Sequence, residues 1–180
     1  MKFEELINGK LWAVREDDAE CHELEMLLDH WNDVIWLREF FENNKEDLNG
    51  HYRVSIEEAI LDTIDDSDEL EFQLIQLGEN DNLDKLFRPL DNNETRESLL
   101  QKDKAKLGTR PRHSSWLRIY AIRLSTGAYI ITGGAIKLTF KMEEREHTLQ
   151  ELAKIEKVKN YLLSEHIIDD DSFIEYIAEL

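Results

Sequence analysis

The strongest constraint on the fold lies between Trp116 and Leu138. Trp116–Leu124 and Ala128–Thr132 are runs rich in β-branched and aromatic residues, joined by Ser125-Thr126-Gly127, a glycine-containing turn of hairpin length. In the first run one face carries Leu117, Ile119, Ala121 and Arg123, and the other carries Trp116, Arg118, Tyr120, Ile122 and Leu124. Apolar residues on both faces predict a hairpin covered on both sides. Gly133-Gly134 interrupts the second run before Ala135–Phe140 continues it. Paired glycines inside a strand predict a bulge or a close backbone approach.

The covering layers are legible as helices. Cys21, Leu24, Leu27, Leu28 and Trp31 recur at helical spacing, and Val34, Ile35, Leu37, Phe40 and Phe41 resume the pattern, as two helices or one bent one. Gly50 after Leu48 reads as a helix end. Ser55-Ile-Glu-Glu58 has capping-box spacing, and Ser67-Asp-Glu-Leu reads as the start of a further helix closed by Gly78. Beyond the hairpin, Thr148 with Glu151 predicts a cap for a helix whose stripe is Leu149, Leu152, Ile155, Val158, Tyr161 and Leu162; Ser172 opens a last short helix. Lys10–Arg15 reads as a short strand, and a strand at Leu86–Leu90 would be an edge strand or a strand end because Pro89 has no N–H to donate. Residues 91–115 read as a long excursion with a short charged helix between Glu94 and Leu107. The expected fold is therefore α+β: a small, mostly antiparallel sheet of three to five strands built around the 116–140 hairpin, packed by N-terminal helices and a C-terminal helix. One domain over 1–180 is expected, with an acidic helical N-terminal half (about 1–80) and a sheet-and-helix region (about 84–165).

Charge narrows the function. The chain carries 22 Lys/Arg against 40 Asp/Glu, a net −18, which repels phosphates at long range and argues against general nucleic-acid affinity. The distribution is uneven. Residues 84–147 hold 13 Lys/Arg and 8 Asp/Glu, a local +5, while the rest of the chain carries −23. Cys21 is the one cysteine, so no intramolecular disulfide forms, and no apolar run approaches the roughly 20 residues that span a bilayer. With no signal-like N-terminal stretch, these features predict a reduced, cytoplasmic protein without membrane contact.

Several chemistries lack their residues. Gly133-Gly134 fits neither Gly-x-Gly-x-x-Gly nor the P-loop, no His-Glu-x-x-His is present, and no Gly-x-Ser-x-Gly marks a serine hydrolase. Acidic neighbours would raise rather than lower the Cys21 thiol pKa. Trp31, Trp36, Phe40 and Phe41 read as core rather than as a base-stacking platform. What remains is Arg110-Pro-Arg112-His113, Arg118, Arg123, Lys137, Lys141, Arg145 and His147. In a regular ladder Arg123 and Lys137 share one face and Arg118 takes the other, so the three converge only if a bulge at Gly133-Gly134 or the strand end re-aims a side chain. Converging cations suit a phosphodiester: metal-free RNA cleavage needs a base for the 2′-hydroxyl, cations for charge developing at phosphorus and an acid for the leaving oxygen. The same residues also suit an exposed sheet face whose cations pair with the many carboxylates.

The order Leu86-Phe-Arg-Pro-Leu90, Leu117-Arg-Ile-Tyr-Ala-Ile-Arg123, Tyr129-Ile-Ile-Thr-Gly-Gly-Ala-Ile-Lys-Leu138, then a helix from Thr148, resembles the hairpin and following segment of RelE/HigB-like toxins over about residues 55–165. The resemblance implies helices packed on a small antiparallel sheet and either cleavage of messenger RNA on the ribosome, without metal or other cofactor, or a relative that has lost that activity. It implies catalytic roles for Arg118, Arg123 and Lys137, with Lys141 and His147 as looser matches. This chain is longer than such toxins and acidic where they are basic. Two other readings accompany it: an interaction module whose acidic half binds a basic protein partner, and a domain whose own acidic helices cover a basic site. The residues specify no oligomeric state.

Overall fold

In a computed structural model, residues 1–91, 99–106, 113–125 and 127–179 are described. A six-stranded sheet is the centre of the molecule: β1 (Lys2–Ile7), β2 (Leu11–Arg15), β3 (Phe87–Pro89), β4 (Gln101–Ala105), β5 (Leu117–Ser125) and β6 (Ala128–Ile136). Its order is β1-β2-β6-β5-β4-β3, antiparallel throughout except for the parallel β2–β6 pair. The fold is α+β, as the alternating patterns predict, with more strands than the expected three to five.

Helices cover both faces. On one side lie α1 (Glu23–Asn32), α2 (Val34–Asn43), α3 (Lys45–His51) and α4 (Ile56–Gln76); on the other lie α5 (Glu146–Ser164) and α6 (Asp170–Ala178). The alternation of β5 explains this: Leu117, Ile119 and Ala121 pack with Leu27, Trp31, Leu37 and Phe41, while Tyr120, Ile122 and Leu124 pack with Ile155, Val158 and Phe173. Of the aromatic cluster, Trp31 and Phe41 are buried in the core, and Trp36 and Phe40 are half-buried against it. Among the described residues, no helix is long and apolar enough to cross a membrane.

Local signals decide most boundaries. Asp33 separates α1 from α2 because its carboxylate accepts hydrogen bonds from the N–H groups of Ile35 and Trp36. The Ser55–Glu58 capping box forms on both sides. Three expectations are corrected. Ser67 does not start a helix but lies buried inside the 21-residue α4, where packing overrides its capping preference. Thr148 is not the cap of α5, whose first residue is Glu146; its hydroxyl instead donates to the Met142 carbonyl. The expected charged helix between 94 and 107 is absent from its described part, where Gln101–Ala105 is a strand. The strand expected at Lys10–Arg15 is β2; it pairs with β1, which was not expected, and lies beside β6 near the sheet centre.

The hairpin carries the predicted irregularity. Tyr120 pairs with Gly133 and Ala121 with Ile131, so Thr132 is an extra residue with no partner in the ladder. Gly134 is also a close approach: a Cβ there would lie 2.5 Å from the Arg118 carbonyl oxygen and 2.8 Å from Leu27 Cδ1.

Candidate functional site

The bulge at Thr132 sets which side chains meet. Before it, Ala128 and Ile130 face α5 and Tyr129 and Ile131 face α1–α4; after it, Ala135 faces α5 and Ile136 faces α1–α4. One extra residue reverses the parity of everything downstream. Lys137 is thereby moved off the face of Arg123 and onto the face of Arg118. Two of the three predicted cations converge, and the third does not.

Register then assembles a larger group. Arg88 on β3 pairs with Lys104 on β4, Lys104 with Tyr120 on β5, and Tyr120 with Gly133 on β6, so these residues form one row across the sheet on the α5 side. Lys102 and Lys106 flank Lys104 at period two. The row opens into a cleft of about 950 Å³, which the segment after β6 also lines with Lys137, Phe140 and Lys141. Among the described residues it is lined by seven Lys/Arg side chains and by two carboxylates, Asp91 and Glu143. No described residue before Arg88 lines it, so α1–α4 do not cover it.

Lys102 pairs with the Glu156 carboxylate, whereas Arg118, Lys104 and Lys137 donate to backbone carbonyls. Arg118 donates to the carbonyls of Ser115 and Leu117, both at 2.7 Å, and Lys104 to that of Leu90 at 2.7 Å. The Lys137 ammonium donates to the carbonyls of Thr139, at 2.9 Å, and Phe140. Their charges repel one another. Burial first, then the charges of Arg88, Lys137 and Arg118, push Lys104 down to about 8, and burial together with Arg118 lowers Lys106 and Lys137 as well. Burial also lowers Arg118. An anion placed among these groups would relieve that repulsion. Burial raises the Tyr120 phenol, which therefore stays protonated; its hydroxyl has no hydrogen-bond partner among the described residues.

No family model, curated protein or solved structure matches this chain.

The other predicted residues lie elsewhere. Lys141 lines the cleft rim. Arg123 points to the opposite face and forms a two-pronged ion pair with Asp84, Nε–Oδ1 3.1 Å and Nη2–Oδ2 3.2 Å, to which Tyr129 donates at 2.6 Å. His147 does not line the cleft: its Nε2 lies 3.0 Å from the Ile136 carbonyl oxygen and its ring packs edge-on against Phe40. His113 is also outside it, stacked on Trp116 with Nε2 2.9 Å from Asp62 and Nδ1 3.0 Å from the Ser114 carbonyl. Arg145 pairs with Asp47. Arg110 and Arg112 lie outside the described residues. Cys21 is a free thiol just before α1, its pKa raised by burial and by Glu25 and Asp29. Among the described residues no group of three or more His, Cys, Asp or Glu is placed to hold a metal.

Sequence reasoning missed Arg88, Lys102, Lys104 and Lys106. The signal was present. Gln101-Lys-Asp-Lys-Ala-Lys106 places lysine at every second position, which puts three cations on one face of a strand but scatters them around a helix.

Proposed function

We propose that the cleft binds RNA through its phosphodiester backbone and that the protein belongs with the metal-independent messenger-RNA endoribonucleases its hairpin resembles. The observation that carries this reading is the convergence of Arg88, Lys104, Arg118 and Lys137, from four neighbouring segments, on one open cleft in a chain of net charge −18. Such local concentration of positive charge against the global sign favours a ligand of high negative charge density. Roles follow from the chemistry of each group. Arg118, whose planar fork suits a phosphate, and Lys137 neutralise charge developing at phosphorus. Lys104, lowered to about 8, is the group best placed in its titration to accept the 2′-hydroxyl proton near neutral pH.

The test is binding of a short single-stranded RNA across a salt series, together with cleavage of messenger RNA in the presence of ribosomes. Arg118→Ala, Lys137→Ala and Lys104→Ala should each weaken binding and reduce the salt slope by roughly 0.7 for each phosphate no longer neutralised. Lys104→Ala should in addition abolish cleavage, while Arg123→Ala should leave both unchanged after correction for stability. A wild-type protein that neither binds nor cuts RNA at any salt concentration would overturn the reading. The acidic N-terminal half would then become the working surface, with a basic protein as its partner.

A further inference from the structure

Phe140 stands among the cleft cations with no role in holding a phosphate. Its side chain is 85% exposed, and it is the one exposed large apolar residue, among those described, that lines the cationic cleft. Most aromatic rings of this chain have a place in the core: Trp31, Phe41, Phe87, Trp116 and Phe173 are fully buried, and Phe40 stacks on Trp36. The Phe140 ring makes one ring contact among the described residues, a T-shaped approach to His51 with centroids 5.5 Å apart. Leaving a phenyl ring in water forgoes the free energy of burying it, so the fold gains little from this side chain.

Its position is tied to the charges. The Lys137 ammonium donates to the Phe140 carbonyl, so the backbone that presents the ring also anchors a cleft cation. Lys141 follows directly and lines the same rim. An aromatic face beside a cationic groove is how proteins hold single-stranded nucleic acid: cations track the backbone, and rings stack on unpaired bases, which a duplex keeps stacked inside.

We infer that the ligand of the cleft is single-stranded and that Phe140 stacks on one of its bases while Arg118 and Lys137 hold the adjoining phosphates. The inference rests on the phosphodiester reading above and adds to it a base-stacking contact by a named side chain. A polyphosphate or a duplex offers the same charge and no free base. The ring therefore discriminates between ligands that the cations alone would treat alike.

The experiment separates the two readings. Fluorescence anisotropy is measured with a labelled single-stranded RNA, with the same RNA annealed to its complement, and with inorganic polyphosphate as competitor. The proteins are wild type, Phe140→Ala, Phe140→Trp, Lys137→Ala and, as a control, Phe72→Ala, whose ring is 58% exposed and does not line the cleft. Because the Phe140 side chain is exposed, its removal should leave the melting temperature unchanged. Phe140→Ala should weaken single-strand binding about 5- to 150-fold, the range for removal of one base–aromatic stack, and leave polyphosphate competition unaltered. Phe140→Trp should retain single-strand binding, Lys137→Ala should weaken RNA and polyphosphate alike, and Phe72→Ala should change neither. If Phe140→Ala keeps wild-type single-strand affinity while Lys137→Ala weakens both ligands, the stacking inference fails and the phosphate site stands. If Phe140→Ala weakens both ligands equally, the ring only supports the Lys137 segment, and the inference fails again. If Lys137→Ala changes neither ligand, both readings fall together.

Discussion

Replacing Asp84 with asparagine tests whether Arg123 is a structural cation rather than a member of the site. Asp84 sits in the short 3₁₀ turn before β3 and receives two bonds from Arg123, one from the Tyr129 hydroxyl and one from the Gly127 N–H. Both partners of the ion pair are largely buried, with side chains 15% and 12% exposed. Burial alone would raise the Asp84 pKa, but the donors outweigh it and hold the carboxyl at about 2, against an ordinary value of 3.8. A depressed carboxylate stabilises the fold above its unfolded pKa, and that stability is lost as pH falls through the folded pKa. The difference of about 1.8 pH units corresponds to about 2.4 kcal/mol at pH 7, falling to about 1.3 kcal/mol at pH 3 and about 0.4 kcal/mol at pH 2. Asp84→Asn preserves shape and removes the charge, so it should cost about 2.4 kcal/mol at pH 7, rising towards roughly 3–5 kcal/mol where the guanidinium is left without a counter-charge. Urea denaturation followed by tryptophan fluorescence at pH 7 and pH 3 reads the effect, and the gap between variant and wild type should narrow by about 1 kcal/mol on acidification. RNA binding by the folded variant should match wild type. A gap under about 0.5 kcal/mol at pH 7, or one that widens in acid, would refute the assignment of Arg123 to the core network.

Other expectations follow from the cleft and the bulge. Raising pH through about 8 should remove one positive charge at Lys104, so RNA affinity should fall between pH 7 and 9, with the step displaced upward by bound phosphate; Lys104→Arg should abolish the step, and a flat wild-type profile would count against the assignment. Gly134→Ala drives a methyl group to 2.5 Å from a backbone oxygen, so it should destabilise by about 1–3 kcal/mol or more in calorimetry. Gly50→Ala, with nothing within 4 Å and a helical position in α3, should instead stabilise by about 0.5–1 kcal/mol, and equal melting temperatures for the two variants would refute the close approach at Gly134.

Local chemistry alone made much of this protein legible. The period-two runs at 116–140 specify a hairpin covered on both faces, because side-chain alternation is a property of the extended backbone and requires no knowledge of what lies alongside. The Ser55 capping box and the glycine pair inside β6 are equally local, and both features are where the sequence places them. The long-range assembly was not legible. Nothing in Lys10–Arg15 states that β2 lies parallel to β6, and nothing in Ser67 states that packing against α1 and α2 will carry α4 past a capping residue. The site shows the same division. Arg118, Lys137 and Lys141 were legible as cations near the hairpin, but their faces depended on where one extra residue fell, and Thr132 reversed the parity that a regular ladder would give. Tertiary structure sent Arg123 to Asp84 and His147 to a backbone carbonyl, partners 39 and 11 positions away in the chain. It also brought Arg88 and Lys104 beside Tyr120, because register across β3, β4 and β5 is a relation between segments that no single segment contains.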